Sequence, residues 1–205
     1  MKKFILAITT ALLIAGTAFA SGKGGFEAGI TYGTLASVNK DDAKIHTDIS
    51  GWGFELGYYE SVIPFVGVQA NAFFMFPDSI KAYASNGTST DLSGLYKAPF
   101  VMSAEAMLMV NIPITIIDLR VGAGIGYTLH TQHNNLLNMD YYNHYLTVPV
   151  SAAIVLHLGA LGLKAGCDIN FAFSAWQTYE NNSTELPNTT NYIVVLPHIA
   201  VTLKM

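Results

Sequence analysis

Cysteine, charge and long apolar segments are all scarce in this 205-residue chain. Cys167 is the single cysteine, which excludes an internal disulfide. Only 12% of the residues are charged and Arg120 is the one arginine, so there is no basic surface of the kind that binds nucleic acid. After the N-terminal region, no stretch approaches the ~20 apolar residues of a transmembrane helix, although 51% of the chain is hydrophobic. The apolar residues must therefore alternate with polar ones.

The N-terminus has the pattern of a secretory signal peptide. Lys2 and Lys3 precede an apolar run over 4–16, and small residues end at Ala20. These are the basic, apolar and cleavage regions of an export signal, and the apolar run is short for a membrane-anchoring helix. We expect residues 1–20 to be removed, which changes the formal charge from −4 to −6 as the two lysines are lost.

Residues 21–205 are expected to form one domain built from strands. Clusters of Gly, Pro, Asn and Ser separate eight segments with strand character, at 25–37, 50–60, 64–77, 96–111, 115–130, 143–158, 161–176 and 191–204. Nine charged residues in these segments share one side of the alternation: Glu27, Glu55, Lys97, Glu105, Asp118, Arg120, Lys164, Asp168 and Lys204. Because successive strand side chains point to opposite faces, each strand has one face with charge and one apolar face.

This distribution favours a membrane barrel over a soluble one. Eight strands enclose little more than their own side chains, so the large apolar set must face lipid. Gly51-Trp52 is similar to the early Gly-x-Trp motif of the soluble lipocalin-like barrels. Such a barrel, however, is apolar inside and polar outside. Tight connections at 61–63, 112–114 and 159–160 alternate with long polar connections at 38–49, 78–95, 131–142 and 177–190. The prediction is an all-β fold: an eight-stranded antiparallel up-and-down transmembrane β-barrel with short periplasmic turns and longer extracellular loops.

Aromatic residues crowd both ends of the expected strands. Trp52, Tyr127 and Trp176 lie near the long connections, and Phe26 and Phe65 lie near the tight ones. Two such belts are typical of a protein that sits in a bilayer. Together with the export signal, they predict a location in the bacterial outer membrane, with membrane lipid as the surrounding partner.

The inward charges predict a polar network that fills the barrel. Enclosed charges must be paired or hydrogen-bonded, and the five-donor fork of an arginine suits several carboxylates. The expected network comprises Arg120, Glu105, Glu55, Asp168, Lys164 and Glu27. The expected neighbours across the hairpins are Glu105 with Arg120, Glu55 with Gln69, and Asp168 with Ser151. The lumen is therefore expected to be filled, and a proton or ion path is the alternative interpretation.

A row of inward glycines suggests a small apolar recess. Gly122, Gly124 and Gly126 leave one part of the interior without side chains. The candidate recess is lined by Phe73, Met75, Val101, Met107 and Met109. Curvature of the strand and packing of large neighbours against the glycines is the alternative.

Three prolines fall within expected strands. Because proline cannot donate to a ladder, Pro99, Pro149 and Pro197 should each mark a bulge or a local break in pairing. A break of this kind would also allow a small barrel to open sideways to lipid, which is a second interpretation of the same residues.

Signals for an enzyme or a metal site are weak. His130, His133 and Ser174 are expected near the outer rim, but no acid is fixed beside them by spacing. The two histidines imply no third metal ligand. We therefore expect no enzymatic activity, no cofactor and no bound metal.

The chain resembles the small outer-membrane β-barrels of the OmpA-transmembrane, OmpX and OmpW kind. Tyr145-Leu146-Thr147-Val148-Pro149-Val150 is similar to a recurrent Tyr-Leu-x-x-Pro strand of that group, and Leu196-Pro197-His198-Ile199 is similar to its closing strand. The C-terminus departs from the pattern, because the chain ends in Met205 where the usual assembly signal ends in an aromatic residue. The resemblance implies insertion by the barrel-assembly machinery.

The resemblance leaves three functions open. The first is a non-enzymatic surface role, in envelope integrity or in adhesion to an extracellular ligand through the loops. The alternatives are an OmpW-like channel for small hydrophobic solutes and an enzyme that modifies membrane lipid. We expect the first of these, carried out by a monomer.

Overall fold

Eight long antiparallel strands form a closed barrel in the computed structural model, which describes residues 24–179 and 182–204. In chain order the strands are β1 (Gly24–Asn39), β2 (His46–Ile63), β3 (Val66–Tyr83), β4 (Ser89–Asp91), β5 (Tyr96–Ile114), β6 (Ile117–Asn134), β7 (Met139–Leu158), β8 (Leu161–Tyr179), β9 (Asn182–Glu185) and β10 (Thr190–Lys204). Strands β4 and β9 are short, and the other eight form the wall. The predicted fold class is confirmed. The expected signal peptide and Met205 lie outside the described residues.

The wall has up-and-down topology. Each long strand pairs with the next, and β10 closes the barrel by pairing with both β8 and β1. Closure removes the free edges of the sheet. The two-residue turns and the described chain ends lie at one end, the turn end, and the longer hairpins lie at the other, the hairpin end. No helix among the described residues is long and apolar enough to cross a membrane.

Side chains alternate between a buried interior and an apolar exterior. On β5 the inward Glu105 is 5% exposed, whereas the outward Leu108 is 67% exposed. On β6 the outward Ile125 is 72% exposed. A polar interior inside an apolar outer band is the arrangement of a barrel surrounded by lipid. Six residues predicted to point inward are buried: Glu27, Glu55, Glu105, Arg120, Lys164 and Asp168.

The other three predicted inward charges behave differently. Lys97 is exposed because a bulge follows it: Ala98 has a φ of 48° and the β5–β6 register shifts between Lys97 and Phe100. Lys204 is exposed at the end of its strand. Asp118 is half-buried beside the turn end, where its carboxylate lies 2.6 Å from His157. The alternation therefore overestimated the number of charges that reach the interior.

Two of the three tight turns lie two or three residues later than the sequence predicted. The strands continue through 61–63 and 112–114, and the turns are Pro64-Phe65 and Thr115-Ile116. Phe65 and Thr115 have φ values of 68° and 57°, so each turn places one of its two residues in the left-handed region. The apolar β-branched residues before each turn suit an exposed lipid-facing strand, which is why the strands extend. The third turn, Gly159-Ala160, is where it was predicted.

The expected long loops are mostly strand. Among the described residues, only 40–45, 84–88, 135–138 and 186–189 are free of strand pairing at the tips of the hairpins, apart from the segment around the 3₁₀ turn at Ser93–Leu95. Asn39 stabilises the first tip because its Oδ1 accepts hydrogen bonds from the backbone N–H groups of Asp41 and Asp42, at 2.8 and 3.1 Å. Strand above the bilayer has water on both faces and loses the apolar alternation, which explains why the sequence pattern did not show it.

Each of the three prolines expected to interrupt a strand, Pro99, Pro149 and Pro197, lies at a break in pairing, as predicted. The pairs that flank the breaks are Lys97–His133 and Phe100–Thr131 around Pro99, Ala123–Val150 and Gly126–Thr147 around Pro149, and Thr31–His198 and Thr34–Val195 around Pro197. One break is bridged by a side chain, since Thr31 Oγ1 donates to the carbonyl of Pro197 at 2.8 Å. The missing proline N–H accounts for these local interruptions.

Candidate functional site

An ion-pair layer crosses the turn-end half of the barrel. The carboxylate of Glu27 accepts hydrogen bonds from Arg120 Nη1 and Lys164 Nζ, both at 2.7 Å, and Lys164 Nζ also donates to Glu55 Oε1 at 2.6 Å. Each of these four residues is at most 5% exposed. They come from β1, β2, β6 and β8, so they connect opposite parts of the wall. Two cations and two carboxylates balance each other, which is what burial of charge requires.

Arg120 is held by an aromatic ring as well as by a carboxylate. Its guanidinium carbon lies 3.7 Å from the centre of the Tyr59 ring, in a cation–π arrangement. Tyr59, Met107 and Met109 form a small apolar cluster on the turn-end side. A Cβ on Gly122 would collide with Met109 Sδ, so the methionine occupies the space that this glycine leaves.

The pairing of Glu105 with Arg120 that the sequence predicted is not found. On β5 and β6, Arg120 is opposite Asn111 and Glu105 is opposite Gly126. The turn lies later than predicted and changes the register, so Arg120 instead reaches across the barrel to Glu27. Glu55 is likewise opposite Phe73 and not Gln69. The third expected pair, Ser151 with Asp168, is present.

Glu105 and Asp168 belong to a carboxyl–amide cluster, defined as Glu105, Asp168, Asn71, Asn170 and Ser103. Asn170 Nδ2 donates to Glu105 Oε1 at 2.6 Å, and Asn71 Nδ2 donates to Asp168 Oδ2 at 3.0 Å. The two carboxyl groups approach each other, and each has one buried oxygen without a partner in the described structure. Their described hydrogen bonds and ion pairs include no cation. This cluster is therefore held by amide donors and not by ion pairs.

Gln69 joins the cluster to the ion-pair layer. Its Nε2 lies 3.3 Å from Glu27 Oε2 and 3.0 Å from Asn71 Oδ1. The structure thus brings all six residues of the expected network into one connected set, although by contacts across the barrel and not across the hairpins.

An apolar layer lies on the hairpin-end side of the polar network. It includes Leu35, Phe73, Met75, Val101, Tyr145 and Leu196, each at most 3% exposed. The Phe73 ring lies 5.6 Å from that of His198, at the boundary with the ion-pair layer. The five residues of the expected recess are divided, because Phe73, Met75 and Val101 belong to this layer while Met107 and Met109 lie in the cluster around Tyr59.

Beyond the apolar layer, the barrel opens into a cavity of about 450 Å³ at the hairpin end, here called the mouth cavity. Four tyrosines contribute to its wall: Tyr83, Tyr96, Tyr145 and Tyr192. None of the described residues that line it is Asp, Glu, Lys or Arg. The site was not predicted from the sequence, because much of its wall, including His46, Tyr83 and Gln177, is strand in segments where loops were expected. Inward-facing tyrosines beyond the apolar layer were the available signal.

A chain of neutral polar groups runs along one wall of the mouth cavity. Gln177 Nε2 donates to Asn143 Oδ1 at 2.8 Å, and Asn143 Nδ2 lies 3.3 Å from His130 Nδ1. His130 is 1% exposed, and its Nε2 atom has no partner in the described structure. The cavity therefore combines aromatic rings with amide and imidazole groups that can donate and accept.

The histidines at the rim form no recognisable catalytic or metal centre. His133 Nδ1 lies 2.9 Å from Asp140 on the neighbouring strand, an acid that sequence spacing did not reveal. The described hydrogen bonds of His133 include no hydroxyl or thiol, and Ser174 is exposed on β8. No group of three or more His, Cys, Asp and Glu residues within 24–179 and 182–204 could hold a metal ion.

Comparison with known proteins identifies the fold. No protein-family model and no curated protein sequence matches the chain. Among solved structures, Neisserial surface protein A is similar with a TM-score of 0.55 and 10% identity, covering 88% of this chain and 97% of that one. A major outer membrane protein from Thermus thermophilus is similar with a TM-score of 0.50 and 13% identity, covering 87% and 99%. The chain thus has the fold of the outer-membrane β-barrels, in agreement with its predicted location in a bacterial outer membrane.

Proposed function

We propose that the protein is a non-enzymatic outer-membrane barrel that is closed to solutes and acts at the cell surface. The hairpin end would face outwards and serve adhesion or envelope integrity. The barrel would be inserted by the assembly machinery and remain a monomer. A fold alone does not determine function, so the proposal depends on the interior and on the mouth cavity.

The filled interior is the observation that carries the proposal. The ion-pair layer, the carboxyl–amide cluster and the apolar layer succeed one another along the barrel, and their side chains are almost completely buried. Eight strands leave a lumen that side chains can fill. A solute would have to separate buried ion pairs to pass, at a cost of several kcal/mol per uncompensated ion. The accessible surface of the barrel is therefore its hairpin end.

A swelling assay tests whether the barrel is closed. Proteoliposomes containing the purified protein would be diluted into iso-osmotic glycine, beside liposomes with a general porin as positive control. We expect swelling no faster than in empty liposomes. Swelling at the porin rate would contradict the proposal.

A trimmed variant tests the surface role. Replacing 84–95, which contains β4 and the 3₁₀ turn, by a short turn removes the tip of one hairpin and leaves the wall strands intact. Cells that produce this variant should show weaker attachment or weaker resistance to detergent than cells with the full chain. The electrophoretic mobility of the unheated protein would verify that the trimmed barrel is folded. Unchanged attachment and unchanged detergent resistance would contradict a role for this hairpin.

A channel for small hydrophobic solutes is the second candidate. The apolar side chains of the mouth cavity favour it, as do the breaks in pairing beside Pro149 and Pro197, which weaken the wall locally. Liposome uptake of a fluorescent lipophilic dye at a protein-dependent rate would support this candidate over the closed barrel.

A further inference from the structure

The mouth cavity has the volume of a small-molecule site. Its volume of about 450 Å³ falls within the range of about 300–1,000 Å³ that is typical of ligand pockets. Its floor is the buried apolar layer, so a ligand that enters from the hairpin end cannot continue through the barrel. Such a cavity favours binding over passage.

Flat rings on two separate parts of the wall face this space. On β2 and β3, His46 and Tyr83 stack with ring centres 4.2 Å apart and planes 12° apart. On β7 and β10, Tyr145 and Tyr192 lie 5.2 Å apart. Strand β1 separates the two pairs on one side of the barrel, and β5 and β6 separate them on the other. A ligand with an apolar face can therefore pack against rings on either side.

The polar groups of the cavity are neutral and able both to donate and to accept. Gln177, Asn143 and His130 form a hydrogen-bonded chain on the wall, and His130 Nε2 is buried without a partner in the described structure. Amides and imidazoles match hydroxyl groups, which also donate and accept. A purely apolar ligand would leave His130 Nε2 without a hydrogen-bond partner, at a cost in affinity.

Charge excludes a further class of ligand. The described lining of the cavity contains no lysine or arginine to pair with a sulfate, phosphate or carboxylate, and no acid to pair with a cation. A charged ligand would lose its hydration without gaining a counter-charge.

From these observations we infer that the mouth cavity binds a neutral saccharide unit, which enters from outside the cell with its apolar face on the tyrosine rings and its hydroxyl groups on the Gln177–Asn143–His130 chain. This inference deepens the proposed surface function and rests on it, because it takes the hairpin end to face the outside of the cell. It names the chemical class that the hairpin end recognises.

Titration of the full-length mature protein with sugars tests the inference. The protein is held in lipid nanodiscs because sugar-based detergents would compete for the cavity. The probes are D-glucose, D-galactose, N-acetylglucosamine and lactose, with naphthalene and a sulfated disaccharide for comparison. Saturation-transfer NMR and calorimetry should show binding of at least one neutral sugar, and no binding of the sulfated one. Binding of naphthalene alone, or of no probe, would overturn the inference.

Two variants locate the site. Gln177→Leu keeps the size of the side chain and removes the amide, and Tyr192→Ala removes one ring. Each should weaken sugar binding about tenfold, the effect of losing one good contact. Tyr142→Ala removes a tyrosine that is 43% exposed and does not line the cavity, so this control should bind as the wild type does. Equal loss in all three variants, or no loss in the first two, would contradict the assigned site.

Failure of this inference can be distinguished from failure of the proposed function. A barrel that conducts solutes but binds sugar with the expected variant pattern contradicts the closed barrel and leaves the cavity assignment supported. A barrel that is closed but binds no neutral sugar contradicts this inference alone.

Discussion

Glu27 on β1 and Arg120 on β6 form an ion pair across the interior of the barrel, with 2.7 Å between Oε1 and Nη1. The other carboxylate oxygen of Glu27 accepts from Lys164. One carboxylate thus neutralises two cations on different parts of the wall. Removing it would take the carboxylate partner from Arg120 and one of two carboxylate partners from Lys164, in a buried site.

Glu27→Gln should therefore destabilise the folded barrel strongly. Loss of one partner of a buried ion pair costs about 3–5 kcal/mol, because the remaining charge stays buried. Urea unfolding in lipid vesicles would measure the difference. Asp48→Asn is the matched control, since its pair with His46 is partly exposed and 3.8 Å long; such surface pairs contribute about 0–1 kcal/mol. Equal stability of Glu27→Gln and wild type would contradict the ion-pair layer.

Glu105→Gln should have the opposite effect. Its carboxyl group approaches that of Asp168, and the described hydrogen bonds and ion pairs of the two groups include no cation. The amide keeps an oxygen that accepts from Asn170 and removes like-charge repulsion in a medium of low dielectric constant. We expect an unfolding free energy at pH 8 that is at least as high as that of the wild type. A loss as large as that of Glu27→Gln would show that Glu105 has an ion-pair partner.

Amine labelling should distinguish the interior lysine from the others. Lys164 is 1% exposed and hydrogen-bonded to two carboxylates, whereas Lys97 lies on the surface. In the folded protein an amine-reactive reagent should modify Lys97 and spare Lys164, and unfolding should make both reactive. Mass spectrometry of the labelled peptides gives the two rates. Rapid modification of Lys164 in the folded barrel would mean that water and reagent reach the interior.

Gly124→Val should interfere with folding. A Cβ at this position would collide with the carbonyl oxygen of Ala106 and lie 2.7 Å from the Cα atom of Met107, so the neighbouring strand would have to shift. Overpacking of this kind costs about 1–3 kcal/mol. The folded fraction, read from the mobility of the unheated protein on a gel, should fall. Gly94→Val is the control, because nothing lies within 4 Å of a Cβ there. Equal folded fractions for both variants would contradict this packing.

The sequence predicted which way side chains point wherever apolar and polar residues alternate strongly. It did not predict which residues lie opposite each other where a turn sets the strand register. The faces of β5 and β6 could be assigned because lipid on one side and a polar interior on the other separate the two residue sets. The partner of Arg120 could not be assigned, because it depends on a turn whose position differs from the prediction by two or three residues. A contact across the barrel, such as that of Arg120 with Glu27, leaves no local signal in the chain.

The mouth cavity was missed for a related reason. Gln177 lies in a segment where a loop was expected, and Tyr192 lies near the start of β10, so neither residue indicates the cavity by itself. Their convergence depends on closure of the barrel by β10 with β8 and β1. Sequence reasoning placed His130 near the outer rim but could not identify the amide chain that it completes.

Planar-bilayer conductance tests most directly the central claim that side chains close the barrel. With the purified wild-type protein inserted, we expect no steady single-channel current in salt of about 1 M, where screening is strongest, while a general porin added afterwards gives discrete steps. A stable, salt-dependent current from the wild-type protein alone would contradict the closed interior, since ions would then have to pass the Glu27–Arg120–Lys164 layer.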